Sequence, residues 1–206
     1  WDPGSGEKMG GINSFTYGVR SRPYFGEVVC GDGSVILESD QGLFIAIIDS
    51  LGHGKNAAKL SREMERSINR ESSFDLQWLL KKLNEEFKGS IGAAVTLFTL
   101  DPRKKTFECL SVGNNCVRVI SKTSTSLNAQ PGIVGERIPS LVPICDNYEA
   151  GDMFVLTTDG IKEHFSLSDC PTLKYETAET ATNIIMERFS KRHDDATVIV
   201  VRCDDE

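Results

Sequence analysis

The stretch IIDSLGHGKNAA, residues 47–58, places a carboxylate, a hydroxyl, an imidazole and an amine on a glycine-rich bend. An apolar run leads into that bend and a helical pattern leaves it. Several chemistries use such a junction. Gly52, Gly54 and Ala57 spell the G-x-G-x-x-A of a dinucleotide cradle, with Glu71 about 20 residues further on. That fold needs Glu71 to close a second strand, but the residues after Glu71 repeat a helical pattern, and Asp49-Ser50-Leu51 separates the first strand from the glycines. A P-loop needs a glycine at position 49 and Ser or Thr after Gly54-Lys55; Asp49 and Asn56 stand there instead. A nucleophile elbow at Ser50 calls for glycine two residues earlier, where bulky Ile48 lies.

A fourth chemistry starts from Asp49 itself. An ionised carboxylate at the end of an apolar strand is costly unless positive charge compensates it. Other strand-like runs carry acids at their ends: Asp32 after EVVCG, Asp159 after FVLTT, and Asp194-Asp195 before ATVIVV. Taken singly, each is an ordinary turn residue. Brought together at one sheet edge they would repel one another unless divalent cations lay between them, and hard oxygen ligands suit Mn²⁺ or Mg²⁺.

The elements that would position these acids follow from periodicity. Alternating or densely apolar runs predict strands at 14–19, 27–31, 34–39, 43–49, 93–100, 106–113, 116–121, 152–159 and 196–203. Asp101-Pro102 and the basic residues after it predict a hairpin turn. Helical stripes run through Ala57, Leu60, Met64 and Ile68, through Leu76, Leu79, Leu80, Leu83 and Phe87, and through Ala178, Ala181, Ile184, Ile185 and Phe189. Ser72-Ser73 is the expected cap of the second helix. The stretch 122–150, containing STSLNAQPGIVGERIPSLVP, predicts a long loop of the kind that serves as a functional flap. Strands in runs with paired helices, rather than strict alternation, predict an α+β layered sandwich with helices over antiparallel sheets.

Composition narrows the function. The 206 residues, 39 % apolar, can bury one core, so a single domain is expected over 12–206, with 1–11 poorly ordered. A net charge of −7 with dispersed Lys and Arg speaks against a nucleic-acid partner. No apolar run approaches the ~20 residues of a membrane helix, and the opening WDPGSGEKMGG lacks the pattern of a signal peptide. Six cysteines with neither CxxC nor zinc spacing suit a reduced, cytoplasmic setting.

Six segments, CGDG (30–33), IIDSLGHG (47–54), GAAVTL (92–97), LSVGN (110–114), TTDGI (157–161) and HDDATVIVV (193–201), occur in an order that spans nearly the whole chain. In that order the set resembles the metal-dependent protein serine/threonine phosphatases (the PPM family), in the branch of bacterial stress and sporulation regulators of SpoIIE and RsbX type. The resemblance implies a four-layer α/β/β/α sandwich of two mainly antiparallel sheets flanked by helices. It implies two Mn²⁺ or Mg²⁺ ions at one end, with Asp49 bridging them and positioning a hydroxide, and the backbone carbonyl of Ser50 binding one. Asp32, Asp159 and Asp194 would complete the ligand set; Asp195, His53 and Arg20 are further candidates, and Arg22 is a second possible phosphate holder. The resemblance further implies that a water made acidic by two ions would attack phosphoserine or phosphothreonine, with no protein nucleophile required.

The implied partners are phosphorylated regulatory proteins, scaffold or antagonist components of a stressosome-type switch. Three positions depart from the family pattern: Ser50 where glycine is usual after the bridging Asp, Leu51 where some relatives carry a general-acid His, and Asn114 where relatives with a third ion have Asp. A catalytically inactive, phosphatase-like binding module is the alternative that these departures leave open.

Overall fold

The computed structural model describes residues 15–162 and 169–204; the stretch 1–11 lies outside them. Among the described residues, ten strands form two five-stranded sheets. One sheet has the order β2 (Asp32–Ser39), β3 (Gly42–Ser50), β4 (Ala93–Asp101), β5 (Thr106–Val112) and β8 (Ile144–Asn147). The other has the order β1 (Phe15–Arg22), β10 (Ala196–Cys203), β9 (Met153–Thr157), β6 (Cys116–Ile120) and β7 (Ser124–Leu127). Every strand pairing is antiparallel.

The alternation within β3 explains the layering. Leu43, Ile45 and Ile47 face the second sheet, where they pack with Phe154, Leu156, Ile199 and Val201. Phe44, Ala46 and Ile48 face the other way, onto α1 (Gly54–Glu71) and α2 (Leu76–Glu86) through Leu60, Met64, Leu79 and Leu83. A strand buried on both faces carries no polar alternation, and that is why LFIAII reads as an unbroken apolar run. The fourth layer is α3 (Ala178–Phe189), whose Ala181 and Ile185 cover Val155, Val198 and Val200 on the outer face of the second sheet. The architecture is therefore the α/β/β/α sandwich expected from sequence.

Three local expectations are corrected. EVVCG (27–31) follows a turn at 25–26 and is bent and irregular, not a strand: Gly26 takes φ +95°, Val28 is 94 % exposed, and no strand pairs with the segment. The stretch 122–150 is not one uninterrupted loop but contributes the edge strands β7 and β8. The cap of α2 is Asp75, whose side chain accepts from the Trp78 amide at 2.9 Å, whereas Ser72 ends α1 in the left-handed region at φ 46°.

Candidate metal centre

Both sheets deliver acids to one edge of the sandwich. Asp32 opens β2 and Asp49 is the second-last residue of β3; the two are direct Cα partners across the antiparallel ladder. Opposed like charges on neighbouring strands are unfavourable, so this pairing is a liability in the bare protein. Asp159 follows β9, and Asp194 and Asp195 lead into β10, the strand hydrogen-bonded beside β9.

Thr158 joins the two sheets. Its hydroxyl donates to Asp32 Oδ2 at 2.8 Å, and its oxygen accepts the Thr197 amide at 2.9 Å. Asp159 Oδ2 accepts from Asn114 Nδ2 at 2.6 Å, and Asp195 Oδ1 accepts from the Tyr24 amide at 2.8 Å. The remaining oxygens of the two buried acids, Asp32 Oδ1 and Asp195 Oδ2, are enclosed with no hydrogen-bond partner. Gly31 makes room for the second of them: a Cβ there would stand 2.7 Å from Asp195 Oδ2.

The electrostatics confirm that the acids feel one another. Burial, followed by the charges of Asp32, Asp159, Asp194 and Asp195, pushes the Asp49 carboxyl up to about 8. Burial raises Asp32 to about 7, opposed by hydrogen bonds from Thr158 and Thr197 and aided by Asp195 and Asp194. Asp194 rises to about 6 through burial and then the Asp159 charge. Three carboxyls raised at one edge mark a place short of positive charge.

The donor set fits a hard divalent cation: it is all oxygen, all carboxylate, and includes two buried oxygens without donors. As the side chains stand, no three carboxylate, thiol or imidazole groups among the described residues are gathered tightly enough to enclose an ion. The oxygens are instead parted among protein donors at Thr158, Asn114 and Tyr24. The mutual field and the orphaned oxygens are the better guide, because side-chain rotation alone redirects a carboxylate.

A family model for stage II sporulation protein E (SpoIIE) matches residues 39–204, from the end of β2 to the end of β10. The chain belongs to the SpoIIE family. That places it among the PP2C-type, metal-dependent protein serine/threonine phosphatases. The chain is 25 % identical to the phosphoserine phosphatase RsbX of Bacillus subtilis (strain 168) over 182 residues, 85 % of this chain and 88 % of that one. A chain solved in work on the bacterial stressosome, as a modular system adapted to control secondary messenger signaling, superposes with a TM-score of 0.84 at 30 % identity, covering 91 % of this chain and 99 % of that one. RsbX crystallised in complex with magnesium superposes at 0.79 and 22 % identity over 91 % of this chain and 94 % of that one, and this likeness is one of fold.

In this SpoIIE-family chain the side chains of Ser50, His53 and Arg20 are engaged elsewhere. Ser50 is buried, and its hydroxyl is engaged with Ser61 Oγ on α1 at 2.7 Å, turned away from the acidic edge. Its backbone is not in the left-handed region, so the Cβ that replaces the usual glycine introduces no strain there. The bend is made instead by Gly52 at φ +87° and Gly54 at φ +75°, a region that glycine enters without steric cost.

His53 is not turned into the acidic cluster. It caps α1 with its backbone, pairs through Nδ1 with Glu27 Oε1 at 3.0 Å and stacks on Tyr24 with ring centroids 4.3 Å apart. Arg20 is likewise drawn off, its Nε donating to Asn183 Oδ1 on α3 at 2.5 Å. Arg22 lies nearer, donating to the backbone carbonyls of Lys191 and Asp194, with Nε buried and without a partner.

Thr158, Tyr24 and Glu27 were not singled out from sequence. Thr158 stands beside Asp159 in TTDGI, so a hydroxyl next to a strand-end acid was the available signal; Tyr24 and Glu27 offer none. Thr158→Val is expected to lower stability by about 1–3 kcal/mol, because it strips Asp32 of its donor and leaves the Thr197 amide without an acceptor. Urea denaturation of the two proteins checks this; equal midpoints and slopes would deny the hydroxyl its bridging part.

Proposed function

We propose that this SpoIIE-family chain removes phosphate from phosphoserine or phosphothreonine in a bacterial regulatory protein, as part of a stressosome-type switch. In this reading two Mn²⁺ or Mg²⁺ ions are held by Asp32, Asp49, Asp159 and Asp194, with the Ser50 carbonyl and Asp195 as further donors. The observation that carries it is the delivery of five strand-end acids from two sheets to one edge, with Asp32 Oδ1 and Asp195 Oδ2 buried and unpartnered. Bound divalent ions supply Lewis acidity, which ionises water near neutral pH and offsets charge on the phosphoryl oxygens.

The chain's own residues do the rest. Asp49, which feels the charges of the other four acids, would supply much of the negative charge that holds the cations. Thr158 fixes Asp32 against the second sheet, so that acids from both sheets keep one spacing. Asn114 orients Asp159. The Ser50 hydroxyl, committed to Ser61, is not presented for attack, which suits direct hydrolysis by water.

All six cysteines are free thiols, and no helix among the described residues is long and apolar enough to cross a membrane. The reduced cytoplasm is the setting we assign. The deciding experiment is hydrolysis of p-nitrophenyl phosphate and of a serine-phosphorylated stressosome protein, with Mn²⁺, Mg²⁺ or EDTA. Metal-dependent turnover is expected. Its absence on both substrates would leave a phosphatase-like binding module as the reading.

A further inference from the structure

Seven large hydrophobic side chains stand exposed among the described residues, and four of them collect at the end of the sandwich that carries the acids. Phe25, 72 % exposed, and Val28, 94 % exposed, lie in the connection between β1 and β2, which leads into Asp32. Leu51 and Ile91, 45 % and 47 % exposed, lie where β3 ends and β4 begins, just beyond Asp49 and its Cα partner Ala94. The Leu51 amide donates to the Gly92 carbonyl at 2.9 Å and ties those two strand ends together. Single exposed apolar residues are ordinary. Two groups of them from separate segments, one on the β2 side of Asp49 and one on the β4 side, are the distribution expected of a surface that meets another protein.

The β1–β2 connection holds its two apolar tips in place. The Tyr24 amide donates to Asp195 Oδ1 at 2.8 Å, the Phe25 amide to the Arg192 carbonyl at 3.3 Å, and the Glu27 amide to the Tyr24 carbonyl at 3.0 Å. From the α1 side, His53 pairs with Glu27 and stacks on Tyr24. Gly54, at φ +75°, lets Glu27 approach: a Cβ there would stand 2.8 Å from Glu27 Oε1. A loop tied at this many points has little freedom to lose when a partner binds, so contact through its tips costs little ordering entropy. That gives Tyr24, Glu27 and His53, which stand outside the acidic cluster, a part in presenting Phe25 and Val28.

We propose that Phe25 and Val28 dock the protein substrate by packing on apolar side chains that flank its phosphorylated residue. The proposal rests on the phosphatase reading and adds to it how the substrate is chosen. The occupant follows from distance. Phe25 is the chain neighbour of Tyr24, whose amide touches Asp195, and consecutive Cα atoms are only ~3.8 Å apart. A protein that brings a phosphate to the acidic edge therefore covers this connection as well. An extended segment advances about 3.3–3.6 Å per residue, so the docked side chain falls within about three positions of the phosphorylated one. Phe25 and Val28 offer hydrocarbon, against which an apolar flank gains by leaving water and a polar one does not.

The test uses phosphoserine peptides that differ only in carrying Leu or Ser at one flanking position, scanned over about three positions on either side, with Mn²⁺. At one of these positions Leu is expected to raise kcat/KM about tenfold over Ser, chiefly through KM. Phe25→Ser combined with Val28→Ser, both on exposed side chains, should abolish that preference, and Phe25→Leu should keep most of it. Turnover of p-nitrophenyl phosphate, which is too small to reach the connection, should be unchanged in all of them. Equal rates for Leu and Ser at every position, or a preference that survives the double substitution, overturns the docking surface. So does an equal loss on p-nitrophenyl phosphate, which would place the connection in the reacting edge itself. A second copy of the chain is the other occupant, and a dimer in sedimentation that the double substitution dissociates overturns substrate docking in its favour. Hydrolysis of p-nitrophenyl phosphate by a protein indifferent to apolar flanks overturns docking alone, and a protein that hydrolyses neither kind of substrate overturns the phosphatase reading with it.

Discussion

Asp49→Asn is expected to lower kcat on p-nitrophenyl phosphate by about a thousandfold or more while leaving the protein folded. Asn keeps the shape of the side chain and removes its charge. The position matters because, among the described residues, Asp49 is the acid whose carboxyl is raised by burial and then by the charges of Asp32, Asp159, Asp194 and Asp195 together. On the proposed reading it is therefore the acid whose loss would most weaken metal binding. A thousandfold corresponds to about 4 kcal/mol of lost transition-state stabilisation, within the several kcal/mol that metal-assisted phosphoryl hydrolysis supplies. Steady-state kinetics over a Mn²⁺ titration is the measurement. A loss smaller than tenfold at saturating Mn²⁺ would remove Asp49 from the centre of the site. Melting of the same sample guards against misfolding, and the substitution should not lower the metal-free midpoint, since it relieves a repulsion with Asp32 across the ladder.

How much of this was legible in the sequence depends on the range of the forces involved. Asp49 and Asp159 were visible because each abruptly ends an apolar run, and burial of that run fixes where the acid emerges. The three helices were visible for the same reason, their stripes matching the faces that pack on β3 and β10. EVVCG misled because a short run of strand-like residues says nothing about a partner; with no neighbouring ladder, Val28 is left in solvent. The strands β7 and β8 were hidden by the opposite circumstance. STSL and ICDN are polar or mixed edge segments, ordered by pairing with β6 and β5 rather than by their own burial.

The candidate centre was legible as a list of acids, not as an arrangement. His53 could be read as a site residue because it lies in the bend, but its partners Tyr24 and Glu27 come from the β1–β2 connection. Nothing local announces that contact. The link through Thr158 is of the same kind: it depends on β9 lying beside β10 and on the two sheets meeting at Asp32. Side chains that fix spacing between distant strands act through geometry that one-dimensional pattern does not carry.

Burial of these acids, added to by their crowding, should give the metal-free protein an unusual response to pH. Carboxyls of Asp32, Asp49 and Asp194 are raised to about 7, 8 and 6 from a starting value of 3.8. Between that starting value and the raised ones the folded state holds protons that the unfolded chain has released, so stability falls as pH rises through this window. Above about pH 8 both states are ionised and the loss is complete. Raising one carboxyl by a single pH unit corresponds to about 1.4 kcal/mol. Sharing of protons within the cluster makes the combined loss between pH 5 and 9 smaller than a simple sum, on the order of 3 kcal/mol. Glu71, Glu86 and Asp101 are lowered instead, by Lys82, Ser67, Arg70 and the Lys104 turn, so their contribution is lost only at more acidic pH and does not mask the effect. Urea denaturation in EDTA at pH 5, 7 and 9 should therefore show a falling midpoint, a flatter fall for Asp49→Asn, and recovery of the wild-type midpoint at pH 9 when Mn²⁺ replaces EDTA. A midpoint that holds steady or climbs from pH 5 to 9 in EDTA would mean that the acids do not share one field. The cations that the reaction needs are, in this view, also the charge that lets the folded chain keep its acids ionised at neutral pH.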